Sequence, residues 1–438
     1  MDDLLYANRG AIEAAQERCF SEMIGLAAER HGRTRALLAD KNLAVSSLRH
    51  LARLPVTRKE DYMREPDAFL LDTQGLPEEM HTVWDTMYTT GSTAGVPTPF
   101  VSTTYDFFRI LEANRNMLRL RGARPDDVIA NLFPLTARPH GAFIRTLHAA
   151  ASMNLRVVAA LPGNPSPYFT LGNDLGRVVE VVARCRSTIL WGVPSYVRRV
   201  LARAEEAGAD FSAVRLAFLT GEGLNEESRD EFTRSLRRLG TREAWVSVSY
   251  GATEMQGGMV ECAPGSGYHN PAPDQFHFEV VDPATLETLP DGKPGLVLLT
   301  HLRRRGTVLL RYALGDISTL SRERCPHCGS WTDRLTTLPR RADALLKVKG
   351  TLVNPTVLVQ AAEAVLGARE FQFVIRDGEI LGLNVAGAID ESLSKRLSDN
   401  VKRACGVTPA VEFVPGEAIS DASKAWKTRR VIDQRRPM

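Results

Sequence analysis

No run of 18 or more apolar residues occurs in the 438-residue chain, so no membrane-spanning helix is expected. Neither sign of charge is in excess: 55 Lys and Arg stand against 52 Asp and Glu, a net charge of +3. That is too small to argue for a nucleic-acid partner. Cysteine is sparse, with six residues in all, which excludes a disulfide scaffold. Internal repeats and low-complexity tracts are missing. The opening Met1-Asp2-Asp3-Leu4 lacks the basic-then-apolar order of a signal peptide, so a cytoplasmic protein is expected.

What is present is ordinary in bulk: 44% hydrophobic and 24% charged residues, as in globular proteins. The length predicts two or more domains. Residues 1–80 read as mostly helical. Over 10–30, Ile12, Ala15, Cys19, Met23, Leu26 and Ala27 recur at helical spacing. From 100 to 260, helical patterns such as 195–207 alternate with short apolar runs at 127–132, 155–160, 188–191 and 214–219. That alternation predicts a layered α/β domain with largely parallel strands. Residues 276–281 and 295–300 are strand-like around a Pro290-Asp291-Gly292 turn, and 308–312 is a third candidate strand. Together they predict an antiparallel β-rich subdomain. Past Arg341, short strands (371–375, 381–385, 410–413) mix with helices (356–366, 392–404), as in a small α+β domain.

Five stretches carry chemistry. Thr89-Thr90-Gly91-Ser92-Thr93-Ala94-Gly95-Val96-Pro97-Thr98 combines hydroxyls with glycines. Glycine lets backbone approach a ligand, and amides and hydroxyls donate to phosphate oxygens. The P-loop of common NTPases is excluded, because that motif needs Gly-Lys-Ser/Thr opening a helix. A polar surface turn is the plain alternative. Ser249-Tyr250-Gly251-Ala252-Thr253-Glu254 follows an expected strand from about Glu243. Strand ends in such sheets bind ligands, and Glu254 offers magnesium an oxygen ligand; a capped turn is the alternative. Arg311-Tyr312-Ala313-Leu314-Gly315-Asp316 ends the third candidate strand with a carboxylate after a glycine turn. Such a carboxylate suits sugar hydroxyls, or is a surface turn. Arg340-Arg341-Ala342-Asp343 reads as a charged connector, and Ser423-Lys424-Ala425-Trp426-Lys427 as part of a solvated basic tail.

One at a time these signals are weak, but their order and spacing resemble the acyl-adenylate-forming superfamily. Within it the chain is most similar to the phenylacetate–CoA ligase branch, over about residues 50–436. Leu54-Pro55-Val56-Thr57-Arg58-Lys59, Val193-Pro194-Ser195-Tyr196 and Lys427-Thr428-Arg429-Arg430-Val431-Ile432-Asp433-Gln434-Arg435 add to the likeness. The resemblance implies a large N-terminal ATP- and acid-binding domain over 1–341. It also implies a small mobile C-terminal domain over 342–438 that carries the catalytic lysine.

The activity implied is attack of a carboxylic acid on the α-phosphate of ATP, then displacement of AMP by a thiol, usually coenzyme A. By this likeness Thr89, Thr90, Gly91, Ser92, Thr93 and Gly95 hold the β- and γ-phosphates. Gly221, Glu222, Gly223, Tyr250, Gly251 and Ala252 line the adenine and acyl region. Thr253 contacts the α-phosphate, Glu254 binds Mg²⁺, and Asp316 and Arg341 grip the ribose. Asp343 is the hinge. Lys427 reaches the carboxylate and α-phosphate, offsetting charge in the transition state; Lys424 is its rival. The implied partners are a small aromatic acid, ATP and CoA, with no nucleic acid or membrane and with a homodimer as an option. An enzyme passing acyl-AMP to a carrier-protein thiol, amine or other nucleophile is the alternative, and a non-catalytic nucleotide-binding relative is a further one.

The chain departs from the branch in places. Val96 replaces the loop's usual lysine, Ser92 its central glycine and Ala94 a threonine, unless Ala94 is an insertion. Ala344 replaces a second aspartate, and Pro139-His140-Gly141 lies where a glycine-rich segment is usual. His140 and Phe143 are candidates for the acyl pocket or for packing.

Cys325-Pro326-His327-Cys328 is a Cys-x-x-Cys knuckle, and Cys262 with His269 forms a second pair upstream. Four sulfur and imidazole ligands make a closed structural zinc site; free thiols beside an unrelated histidine are the alternative. Some relatives in the branch carry the same four residues. Their expected role is to pin loops of the β-rich subdomain beside Asp316.

Overall fold

The computed structural model describes residues 3–88, 98–135, 141–163, 172–224, 226–342, 346–348, 351–367, 369–378, 380–419 and 430–435. The chain divides into two compact units: Met1–Asp127 with Thr136–Arg156 and Ser247–Arg341, and Val128–Leu135 with Val157–Val246 and Ala342–Met438.

In the first unit, the helix Arg9–Arg30 opens where Asn8 accepts the Ala11 N–H at 2.9 Å, a side-chain cap for an otherwise orphaned donor. Its apolar stripe buries Cys19, Phe20, Met23, Ile24 and Ala27 against Leu51, Leu54, Leu71, Leu302 and Val308. Each fully buried large apolar side chain contributes about 1.5–3 kcal/mol. The strands Phe276–Val281, Pro294–His301 and Tyr312–Ser321 pair antiparallel, as expected of the β-rich subdomain.

Two expectations need correction here. Residues 308–311 are not part of a strand, which instead begins at Tyr312 and continues to Ser321. Val308, Leu309 and Leu310 are apolar because they are buried, and Arg311 breaks the extended path with φ +45°. Asp316 does not end a strand at a surface turn. Between Leu296 and Leu298 the partner strand runs from Ile317 to Ala313, so Leu314, Gly315 and Asp316 form a bulge inside it. Gly315 has φ +82°, a conformation glycine takes without strain.

A third correction concerns Tyr250-Gly251-Ala252. These residues are the end of the strand Trp245–Ala252, paired with Gly257–Val260, and the turn comes after them at Thr253–Met255. Gln256 closes it with φ +55°.

The strands Val83–Tyr88 and Pro99–Thr103 form an antiparallel pair. Its base is held by Asp106, whose carboxylate is fully buried. Asp106 accepts the N–H groups of Thr103 at 3.0 Å, Arg305 at 2.8 Å and Gly306 at 2.8 Å. Amide donors of this kind satisfy a carboxylate removed from water. A Cβ at Gly306 would lie 2.2 Å from the Val101 carbonyl oxygen, so this close approach requires glycine.

In the second unit, Val128–Asn131, Ile189–Gly192 and Leu216–Thr220 are parallel. Every residue of Ile189–Gly192 is buried, the pattern of a parallel strand covered on both faces. The helices Leu175–Arg184, Pro194–Glu206 and Glu226–Arg238 belong to this unit. So does a four-stranded sheet in the order Ala410–Val414, Ile380–Ala386, Phe371–Arg376, Val431–Asp433. Phe371, Phe373, Leu383, Leu397 and Val401 form part of its own core.

Candidate functional site

The bulge at Leu314–Asp316 brings three of the expected residues together. Asp316 pairs with Arg341 across two strands. Arg341 Nη1 donates to the Leu314 carbonyl at 3.2 Å and lies 2.9 Å from where a Cβ on Gly315 would stand. Tyr250 Oη donates to Asp316 Oδ2 at 2.7 Å. Burial, with the Asp316 charge beside it, pushes the Tyr250 phenol well up, so its proton stays in that bond. A carboxylate and a guanidinium on adjacent strands can accept from one hydroxyl of a vicinal pair and donate to the other.

Glu254 stands in the turn after Tyr250 and Ala252. Tyr312 Oη donates to its Oε1 at 3.2 Å. Burial raises the Glu254 carboxyl, against the lowering effect of Tyr312 and the Lys59 charge. A charged carboxylate in such a place is costly unless a cation offsets it, and this fits the oxygen-donor chemistry of magnesium.

His301, which no sequence motif marks, holds that turn from behind. The Leu309 N–H donates to its Nδ1 at 3.1 Å, and its Nε2–H donates to the Glu254 carbonyl at 3.0 Å. Both nitrogens are committed to the neutral ring, and burial takes its pKa down to about 3. His31, in the same unit, is held at about 4, also by burial. Unfolded histidines titrate near 6.5. These rings stay neutral in the native state while the unfolded chain takes up protons. Their stabilisation is therefore complete above about pH 6.5 and is lost as pH falls toward the folded values. Each pH unit of that window is worth about 1.4 kcal/mol per ring. Acidification from pH 7 to 4.5 should therefore cost His31→Gln about 2–3 kcal/mol less than wild type, measured by urea unfolding at both pH values.

In the second unit, Gly221-Glu222-Gly223 follows the C-terminal end of Leu216–Thr220, the end of a parallel strand where ligands bind. Gly221 has φ +92°. Glu222 accepts both the Ser195 N–H and the Ser195 Oγ–H at 2.9 Å, so its carboxylate caps the helix Pro194–Glu206. Trp191 Nε1 donates to Thr220 Oγ1 at 3.2 Å. Phe143 is buried on the helix Gly141–Ser152 of the first unit. Thr89, Thr90, Gly91, Ser92, Thr93, Gly95, His140, Asp343 and Lys427 lie outside the described residues.

The sulfur and imidazole residues of the two pairs come together. Cys262, His269, Cys325 and Cys328 place one ligand atom each within 4.8 Å of one another. Cys262 Sγ is 3.7 Å from Cys325 Sγ, and Cys328 Sγ is 3.7 Å from His269 Nε2. Zinc–sulfur bonds of about 2.3 Å at tetrahedral angles separate sulfurs by about 3.8 Å, whereas a disulfide needs about 2.05 Å. His269 Nδ1 meets Thr332 Oγ1 at 3.1 Å, which orients Nε2 toward the thiols. The thiol of Cys262 donating to Cys328 holds the latter's pKa far down and raises its own.

Residues 59–302, more than half of the chain, match the family described as AMP-binding enzyme. The chain is 27% identical to a phenylacetate-coenzyme A ligase of Thermus thermophilus, covering 98% of each sequence. It is 24% identical to one from Aromatoleum evansii, over 89% of this chain and 86% of the relative. Among solved structures, 2-hydroxyisobutyryl-CoA ligase in the postadenylation state superposes with a TM-score of 0.78 at 21% identity, covering 97% of this chain and 89% of that one. The architecture is thus the adenylate-forming fold, with its large N-terminal and smaller C-terminal domains. The chain belongs to the AMP-binding enzyme family, the acyl-adenylate-forming superfamily, and within it is phenylacetate–CoA ligase-like.

Proposed function

We propose that this protein activates an aromatic carboxylic acid with ATP and transfers the acyl group to coenzyme A. The observation that carries the reading is the grouping of Tyr250 and Arg341 around Asp316 at the strand bulge. It offers a paired acceptor and donor suited to ribose, on the fold of the AMP-binding family. The likeness to phenylacetate–CoA ligases supports both the acid class and the thiol acceptor.

In the first half-reaction a carboxylate oxygen bonds to the α-phosphorus, the bond to the bridging oxygen breaks, and pyrophosphate leaves. In the second, a thiolate sulfur bonds to the acyl carbon, the bond from that carbon to the phosphate oxygen breaks, and AMP leaves with its electron pair. Asp316 and Arg341 hold the ribose hydroxyls, and Gly221–Gly223 and Tyr250–Ala252 flank the adenine and acyl group. Thr253 meets the α-phosphate through its hydroxyl. Glu254 is the residue that would hold Mg²⁺, which supplies positive charge to the phosphates when bound. Lys427 comes from 342–438, which turns about Asp343 relative to 1–341. Thr89, Thr90, Gly91, Ser92, Thr93 and Gly95 contribute amides and hydroxyls, with no lysine at Val96. The cluster of Cys262, His269, Cys325 and Cys328 fits a structural Zn²⁺.

The test is acid-dependent ATP–pyrophosphate exchange over a panel of phenylacetates, benzoates and aliphatic acids. The expected result is exchange with an aryl acid and CoA-dependent release of AMP. Exchange only with aliphatic acids rejects the aromatic assignment. Exchange without turnover on CoA moves the acceptor to a carrier-protein thiol or another nucleophile. Absence of exchange with every acid counts against adenylation.

A further inference from the structure

A guanidinium lies buried near the Thr253–Glu254 turn, on a helix whose one candidate site residue so far is Phe143. Arg145, on Gly141–Ser152, is 7% exposed. Its Nη2 donates to Asp85 Oδ2 at 2.8 Å and to Gln256 Oε1 at 2.7 Å. Its Nη1 meets His148 Nδ1 at 3.1 Å. Burial takes the His148 pKa down to about 4, with the Arg145 charge acting the same way, so the ring is neutral and its Nδ1 can accept.

The two acceptors on Nη2 each lead to a segment of the proposed site. Gln256 Nε2 donates to the Thr253 carbonyl at 2.8 Å, and the Gln256 backbone N–H donates to the same oxygen at 3.0 Å. Arg145 therefore reaches the Thr253–Glu254 turn through one side chain. Asp85 belongs to Val83–Tyr88, the strand that leads in sequence into Thr89 and the glycine–hydroxyl run. Burying a guanidinium costs several kcal/mol in desolvation, and an apolar side chain of similar volume would avoid that cost. An apolar side chain could not hold two acceptors from different segments on a single nitrogen.

We propose that Arg145 is a positioning residue for acyl-AMP formation, tying the Thr253–Glu254 turn to the strand that enters the phosphate loop. The proposal rests on the adenylation reading given above. Gln256→Leu isolates the link to the turn, since it leaves the Arg145–Asp85 pair in place. Arg145→Lys keeps the charge and loses the planar fork. Misplacement of a reacting group by about 1 Å costs on the order of 100-fold.

Both variants are expected to lose about 10- to 100-fold in kcat of pyrophosphate exchange, with the ATP KM within about threefold of wild type. Thiolysis of supplied acyl-AMP should proceed at the wild-type rate. Equal loss in both half-reactions, or an unchanged kcat in folded Gln256→Leu, overturns the proposal. Failure of exchange in the wild type would instead reject adenylation itself. Hydrogen exchange on the substrate-free protein then decides the coupling. Faster exchange in Arg145→Lys at both 83–88 and 253–260 supports the tie, and faster exchange at only one segment, or at neither, overturns it.

Discussion

Lys427→Ala is expected to lower acyl-AMP formation about a thousandfold or more while leaving thiolysis of supplied acyl-AMP largely intact. Negative charge spreads over the α-phosphate oxygens as the acid attacks, and a positioned cation is worth most at that moment. Removing one such donor commonly costs about 10²–10³ in rate, and a lone cation in phosphoryl transfer can supply 10³–10⁵. In the proposed phosphate loop Val96 stands where the branch resemblance leads one to expect lysine, so less positive charge would be available to substitute for Lys427. Thiolysis transfers the acyl group to sulfur with no new bond at phosphorus, and so needs no cation at that place. Lys424→Ala should stay close to wild type, because Lys427 is the residue in register with Arg430, Val431, Asp433 and Arg435. Single-turnover rates for the two half-reactions check this, and equal loss in both would remove Lys427 from its role.

Metal analysis is expected to return about one zinc per chain, and stripping it should lower the unfolding temperature by about 10 °C or more. Structural zinc carries an apparent binding free energy of about 10–16 kcal/mol in small peptides. About a third of that, kept within a large unit, produces such a shift. The loss should appear first near the N-terminus. Ser330 Oγ donates to the Leu5 carbonyl at 2.7 Å, and Arg9 Nη1 donates to Asp333 Oδ1 at 2.8 Å. Leu5 also packs in one apolar cluster with Cys262 and Cys328. Loosening the knuckle therefore releases residues 5–9, and limited proteolysis should cut there sooner in stripped protein. Protein with under about 0.2 zinc per chain and an unchanged melting temperature would reject the site.

The parts of this molecule legible in the sequence are those set by local pattern. The helix Arg9–Arg30 and the buried strand Ile189–Gly192 follow directly from periodicity and apolar runs. The Cys325–Cys328 knuckle was visible because its two ligands sit in one turn and a second pair lies upstream. Gly315 marks Asp316 as a turn residue by sequence, yet the glycine serves a bulge whose register is set by Leu296 and Leu298. The apolar run at 308–310 has the composition of a strand, because burial and strand pairing leave the same one. His301 and Arg145 carry no motif: each acts on a carbonyl or amide far away in sequence, at Glu254 and at Gln256. An arginine among Phe143, Ile144, Thr146 and Leu147 was the one hint available for the second.

The Asp106 carboxylate has a consequence for the order in which this chain can be built. Two of its amide donors, Arg305 and Gly306, lie 199 and 200 residues downstream. At about 5–20 residues per second, a ribosome delivers them roughly 10–40 s after Asp106 has been made. Through that interval the base of the Val83–Tyr88 and Pro99–Thr103 pair lacks those partners, and the carboxylate must stay in water. These two strands are therefore made early and locked only once residues 305 and 306 have been made. A nascent chain stopped before residue 305 should hold most of the N-terminal sequence and still leave the Asp106 carboxylate without two of its amide donors.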